Sequence, residues 1–251
     1  VTTLLIRPNR NEPDREAISA RGLTVTVDPF LTISPVDNPD GAARLLDIIR
    51  SGEPAWLVVT SLNAWDNWIA QLPPGDLEAA IADNRDLRFG AIGETTAEVL
   101  LALGVDDVAL PSRRDGDSLA DVIAQSEPCP VVLPSGSISM RSIPETLVPR
   151  GFPVSEEVFY HTEAVEHEPA SVKKILSGEV TSVVFRSPSA VRAFFGFVPD
   201  PPATLALVCG GRTTAREVER CGGLPTIISA GPTPVEVAEA VWTVEQGSEG
   251  Q

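Results

Sequence analysis

Four short stretches set hydroxyl or amide side chains where a helix is expected to begin after a strand: Ser61 with Asn63, Thr95 with Thr96, Ser187 with Ser189, and Thr213 with Thr214. A helix start carries unpaired backbone N–H groups and the positive end of the helix dipole, so such positions bind anions. In parallel α/β sheets these starts lie at the carboxyl edges of the strands, where ligands sit. The same residue types are also the usual helix caps, and capping accounts for any one of them without a ligand. Arg7 and Arg186 each close a predicted strand and add fixed positive charge, and Arg141 and Arg212 are further cations in less favourable places. Tyr160 is the only tyrosine of the chain. Its phenol is able to donate a hydrogen bond or a proton to a reacting group, although an aromatic that simply packs with a wet hydroxyl fits the position as well.

The elements that must hold these groups follow from the rest of the chain. Its 251 residues, 43% of them hydrophobic, suffice for one large core or two ordinary ones. A formal charge of −16 opposes phosphate-backbone binding and docking on anionic lipid, so nucleic acid and membrane are not expected partners. Three cysteines, an odd number without a C-x-x-C spacing, argue against a disulfide framework or zinc ribbon and for a reducing compartment. His161 and His167 stand outside any metal or triad motif, so no metal is expected. Neither a P-loop nor a dinucleotide-binding glycine pattern occurs, so no nucleotide cofactor is expected either. No apolar run reaches membrane-spanning length. The opening VTTLLI is too short for a signal-peptide core, and a start at Val1 rather than Met hints at residues removed upstream. The expectation is a soluble, cytoplasmic protein, and a monomer, since nothing in the sequence indicates a dimer.

Short β-branched runs alternate with helix-length segments. Strands are expected at 4–6, 24–28, 56–60, 88–92, 131–133, 182–185, 204–208 and 226–228. Helices are expected at 12–21, 41–50, 63–71, 95–103, 119–125, 190–195, 213–220 and 235–244. This rhythm specifies parallel sheets flanked by helices. The chain also repeats itself. VVTSLNAW (58–65) is echoed by VFRSPSAV (184–191), and GETTAEVLLALG (93–104) by GRTTAREVERCG (211–222). Both copies of the second motif end on a glycine suited to a left-handed helix cap, Gly104 and Gly222. Two similar α/β domains are therefore expected. One is discontinuous, 1–30 with 165–251, and the other spans 35–159. Extended segments 29–35 and 159–166 would join them as a two-stranded linker, with a cleft between the domains.

Taken in order, LLIRP, VVTSLNAW, AIGETTAEVLLALGV, VFYHT, VVFRSPSAV, CGGRTTAREVERCGG and SAGPTPVEVAEAV resemble the uroporphyrinogen-III synthase family over about residues 4–244. The resemblance implies two α/β domains on a two-stranded linker and an enzyme without cofactor or metal. It implies cyclisation of hydroxymethylbilane to uroporphyrinogen III in tetrapyrrole biosynthesis, with loss of water and inversion of the last pyrrole ring. It implies that Tyr160 lies near the leaving hydroxyl, and that Ser61, Ser187, Thr213 and Thr214 hold carboxylates of the tetrapyrrole. The chain departs from the family pattern at Glu94, an acid beside a proposed carboxylate site, and after Leu133, where Arg-Gly is missing. These departures keep open an alternative, a non-catalytic sensor of the same fold that binds a small anionic or tetrapyrrole ligand.

Overall fold

The computed structural model describes residues 2–113, 115–138 and 141–248. Val1, on which the expectation of upstream truncation rests, lies outside the described residues, as do Ser139 and Met140 of the divergent stretch and residues 249–251 of the polar tail. Along the chain run β1 (Thr2–Leu5), α1 (Glu12–Ser19), β2 (Thr24–Val27), β3 (Leu31–Pro35), α2 (Pro39–Arg50), β4 (Ala55–Val59), α3 (Leu62–Ile69), α4 (Asp76–Asp83) and β5 (Leu87–Ala91). Then follow α5 (Glu94–Leu101), α6 (Gly116–Ile123), β6 (Val131–Gly136), α7 (Ser142–Leu147), β7 (Val154–Ala164), α8 (Ser171–Leu176), β8 (Ser182–Phe185), α9 (Pro188–Phe197), β9 (Ala206–Cys209), α10 (Arg212–Arg220), β10 (Ile227–Ile228) and α11 (Pro234–Ser248).

The chain divides into two compact units, residues 1–33 with 163–251, and residues 34–162. The first unit holds a sheet of order β10-β9-β8-β1-β2, parallel throughout. Alternate side chains leave opposite faces of a strand, and both faces here are covered by helices, so every residue of the central strands is apolar or small. Leu4, Ile6, Val183 and Phe185 join Phe194 and Val218 on one face. Leu5, Val184 and Val208 join Ile18, Val237 and Val241 on the other.

The second unit holds β3-β7-β6-β4-β5, in which β4 to β7 are mutually parallel. Leu57, Val59 and Val132 face a core containing Trp65 and Trp68, while Trp56, Val58, Val131 and Leu133 face Leu119, Ile143 and Leu147. Burying each such side chain contributes roughly 1.5–3 kcal/mol, which makes these tryptophans packing groups rather than stacking platforms. Trp242, in the first unit, is 39% exposed.

The parallel α/β architecture read from the sequence holds, with differences of detail. Gly104 and Gly222 do take left-handed conformations, φ 81° and 89°, which terminate the two repeated helices as expected. After α10 the chain forms β10, and the equivalent stretch after α5 makes a single bridge, Ala109 with Gly90. Three of the described helices, α4, α7 and α8, have no counterpart in the sequence reading. Of these, α7 contains Pro144, and α7 and α8 span only six residues each, too short to display a period. The segment from Phe159 onward is the far part of an 11-residue strand whose first residues pair with β6. Next to it β3 runs the opposite way, with Val165 N–H on Phe30 O and Val36 N–H on Phe159 O. No described helix is long and apolar enough to cross a membrane.

Candidate functional site

Each sheet has one place where its strand order reverses. In the second unit β4 is followed outward by β5 and then, on its other side, by β6. Strand ends diverge at such a switch point and leave a crevice at the carboxyl edge. Ser61 stands there, two residues beyond β4. Its backbone is extended, and its Oγ accepts from Ala64 N–H at 3.4 Å, which caps α3. The same oxygen lies 3.0 Å from the Tyr160 hydroxyl.

Tyr160 arrives on β7 through an irregularity in pairing. Ser135 faces Val158, but the next residue of β6, Gly136, faces Tyr160, so Phe159 is the extra residue of a bulge. Bulges turn side chains into new directions. Phe159 is fully buried in the core, and Tyr160 is half-buried beside Gly136. A Cβ on Gly136 would stand 2.7 Å from the Tyr160 hydroxyl oxygen and closer still to ring carbons. The phenol therefore rests on bare backbone, and glycine is required there for space. Just before the bulge, buried Ser135 donates to Glu156 Oε1 at 2.6 Å and ties β6 to β7.

In the first unit the reversal lies between β1 and β8. Arg7 follows β1 and Arg186 follows β8, so adjacent strands bring both guanidiniums to one edge. Between them stands Asp14 of α1, 1% exposed. Its Oδ2 lies 3.1 Å from Arg7 Nη2 and 3.5 Å from Arg186 Nε. Arg7 also donates to the carbonyl of Arg10, a non-glycine residue at φ 55°. Arg186 Nη2 donates to Pro232 O at 2.5 Å. Burial holds the Arg7 guanidinium below its usual range, with Asp14 acting against that shift and Arg186 and Arg10 adding to it. Among the described residues several buried polar atoms here have no hydrogen-bond partner: Arg7 Nε, Arg186 Nη1, Asp14 Oδ1 and Asn11 Oδ1. Gly210 gives Arg186 its room, since a Cβ there would lie 3.3 Å from Arg186 Cδ.

The remaining expected residues fall into matched pairs. Ser187 caps α9 through Ala190 N–H at 3.3 Å, and its hydroxyl pairs with Ser189 at 2.9 Å. Asn63, two residues after Ser61, is half-buried on α3. Thr95 and Thr213 are exposed at the starts of α5 and α10, and Thr96 and Thr214 are buried behind them. Thr96 is already engaged: its hydroxyl accepts from Gly93 N–H at 3.1 Å and donates to Gly93 O at 2.8 Å. Arg141 and Arg212 are exposed.

Asp14 escaped the sequence reading because an acid in the first turn of a helix is ordinary. Its signal was its spacing from Ile18, four residues on, which puts a charge on the buried stripe of α1. The role of Gly136 was equally hidden, because the residue it accommodates lies on another strand.

A family model described as uroporphyrinogen-III synthase HemD matches residues 13–238. Among solved structures, a substituted uroporphyrinogen III synthase from the extremely thermophilic bacterium Thermus thermophilus is similar at TM-score 0.69 and 17% identity, covering 98% of this chain and 99% of that one. The uroporphyrinogen-III synthetase of Helicobacter pylori is similar at TM-score 0.62 and 14% identity, covering 97% and 99%.

Proposed function

The chain belongs to the uroporphyrinogen-III synthase family, and we propose that it closes hydroxymethylbilane to uroporphyrinogen III with Tyr160 as the group beside the leaving hydroxyl. The observation that carries this assignment is the Tyr160 hydroxyl, fixed by Ser61 and Gly136 at the switch point of the second unit. The C–O bond of the hydroxymethyl group breaks with its electron pair moving to oxygen, and the Tyr160 phenol supplies the proton with which that oxygen departs as water. The cation left behind is attacked by the last pyrrole, which inverts through a spiro intermediate. The ring carbon then gives up a proton, and the phenol is restored through solvent.

We propose that groups at the strand ends of each unit are available to carboxylates of the bilane. In the first unit Arg7 and Arg186 supply charge, and Ser187, Ser189, Thr213 and Thr214 supply donors. In the second, Asn63, Thr95 and the starts of α3 and α5 serve the same end. Thr96 contributes by holding the α5 start in shape. Such a site accelerates mainly by fixing a flexible chain in its reactive form. We further propose that the protein acts as a cytoplasmic monomer on this polycarboxylate tetrapyrrole, without nucleic acid; the charge of −16 supports the last point.

Incubation with freshly prepared hydroxymethylbilane, followed by separation of the product isomers, tests the reading. Isomer III is expected to dominate. Isomer I alone, formed at the spontaneous rate, would reject the enzyme and favour a tetrapyrrole-binding protein of the same fold.

A further inference from the structure

The two capping serines of the repeat differ in one respect. Ser61 and Ser187 both accept the N–H three residues on, which occupies one lone pair of each hydroxyl. The Ser187 hydroxyl then turns to Ser189 on its own helix, whereas the Ser61 hydroxyl turns to a phenol 99 residues away in sequence. We infer that Ser61 is a positioning residue for Tyr160 rather than a ligand for a substrate carboxylate. This inference rests on the cyclisation reading above.

With Ala64 N–H on its lone pair, Ser61 has its own proton available for Tyr160 Oη at 3.0 Å. That bond occupies a lone pair of the phenol oxygen and leaves the phenol proton to point toward the substrate. As the proton passes to the departing hydroxyl, negative charge grows on Oη. The Ser61 bond becomes charge-assisted at that moment and strengthens. Behind it the first N–H groups of α3 hold Ser61 in place and add the positive end of the helix dipole. The contribution is larger in the transition state than in the ground state, so it belongs in kcat and not in KM. The bulge at Phe159 turns Tyr160 toward Ser61, and the bare backbone of Gly136 leaves the ring the space it occupies against β6.

A double-mutant cycle decides the point. Isomer III formation from hydroxymethylbilane is measured for the unaltered protein, Ser61→Ala, Tyr160→Phe and the double variant, with Ser61→Thr as the variant that keeps both cap and hydroxyl. Ser61→Ala is expected to lower kcat about tenfold with KM little changed, less than the roughly 10²–10⁴-fold of a general acid itself, because Ser61 acts only through Tyr160. The double variant should be no slower than Tyr160→Phe alone, and Ser61→Thr should keep most of the rate. Independent, multiplying losses, or a Ser61→Ala defect confined to KM, would overturn the inference while leaving the cyclase intact. A Ser61→Thr protein that folds but is as slow as Ser61→Ala would overturn it too. Failure of the unaltered protein to form isomer III would remove both readings at once, and so is distinct from these outcomes.

Discussion

The switch points of the two units share a topology and differ in chemistry. In the second unit the edge is neutral: a serine, a glycine and a phenol joined by one hydrogen bond of 3.0 Å. In the first it is ionic, with two arginines around a carboxylate that is 1% exposed. The repeat shows how they diverged. Alignment of the two copies puts Thr60 where the other has Arg186, and Ile92 where the other has Gly210. Arg186 lies close over Gly210, where a Cβ would stand 3.3 Å from Arg186 Cδ. The other groups, Arg7, Asp14, Gly136 and Tyr160, come from strands and a helix outside the repeated motifs. The caps thus recur in both copies, whereas Arg7, Asp14, Gly136 and Tyr160 have no counterpart in the repeat.

The largest expected effect comes from breaking the ionic edge. Asp14→Ala leaves two partly buried guanidiniums facing one another without their carboxylate, and removing one partner from such a cluster costs about 3–5 kcal/mol. The loss should be confined to the first unit. Three of the four tryptophans, Trp56, Trp65 and Trp68, lie in the second unit, so their fluorescence reports it preferentially. In denaturant, far-ultraviolet circular dichroism should show an early transition that tryptophan fluorescence largely misses. An unchanged midpoint by both probes would mean that the cluster contributes no structural stability, and the contrast between the units would then lie in binding alone.

The next effect comes from disturbing the neutral edge. Gly136→Ala puts a methyl group 2.7 Å from the Tyr160 hydroxyl oxygen, so the ring must move. Overpacking of this kind costs about 1–3 kcal/mol, and the displaced phenol loses Ser61. The rate of isomer III formation should fall at least as far as in Tyr160→Phe, and adding Tyr160→Phe should lower it no further. A variant that keeps the full rate would show that the placement of the phenol against β6 does not matter. The Tyr160→Phe loss itself should be partial, since the bilane closes without assistance and no single group is indispensable.

The contrast between the edges also marks how far sequence alone carries. Strand–helix alternation located eight strands to within a few residues, because buried parallel strands are apolar on both faces and leave a continuous run. The matched glycines at 104 and 222 were legible for the same local reason: a helix that must stop needs a residue free to adopt positive φ. What could not be read was anything that depends on two distant elements meeting. The Ser61–Tyr160 bond, the space over Gly136 and the carboxylate between Arg7 and Arg186 each join different strands or a strand and a helix. Tyr160 was noticed for its singularity and Arg7 and Arg186 for their strand ends, but their partners had no local signature. The bulge at Phe159 belongs to the same class, since one extra residue changes a register without changing the composition.

The smallest expected effect tests whether the copied caps have themselves diverged. Thr96 and Thr214 occupy equivalent buried positions, 8% and 5% exposed. The Thr96 hydroxyl closes a loop with both backbone groups of Gly93, while the Thr214 hydroxyl makes no hydrogen bond among the described residues. Thr96→Val preserves shape and removes the hydroxyl, so it leaves the buried turn short of a donor and an acceptor. A cost of about 1 kcal/mol follows from the usual worth of such bonds, with little change in KM. Thr214→Val should cost less stability, and if its hydroxyl is kept for a carboxylate of the bilane, KM should rise instead. Denaturation midpoints and steady-state constants for the two variants, measured side by side, separate the outcomes. Equal stability losses with unchanged KM would make both threonines caps, and would confine substrate recognition in the first unit to the arginine pair, the Ser187–Ser189 pair and exposed Thr213.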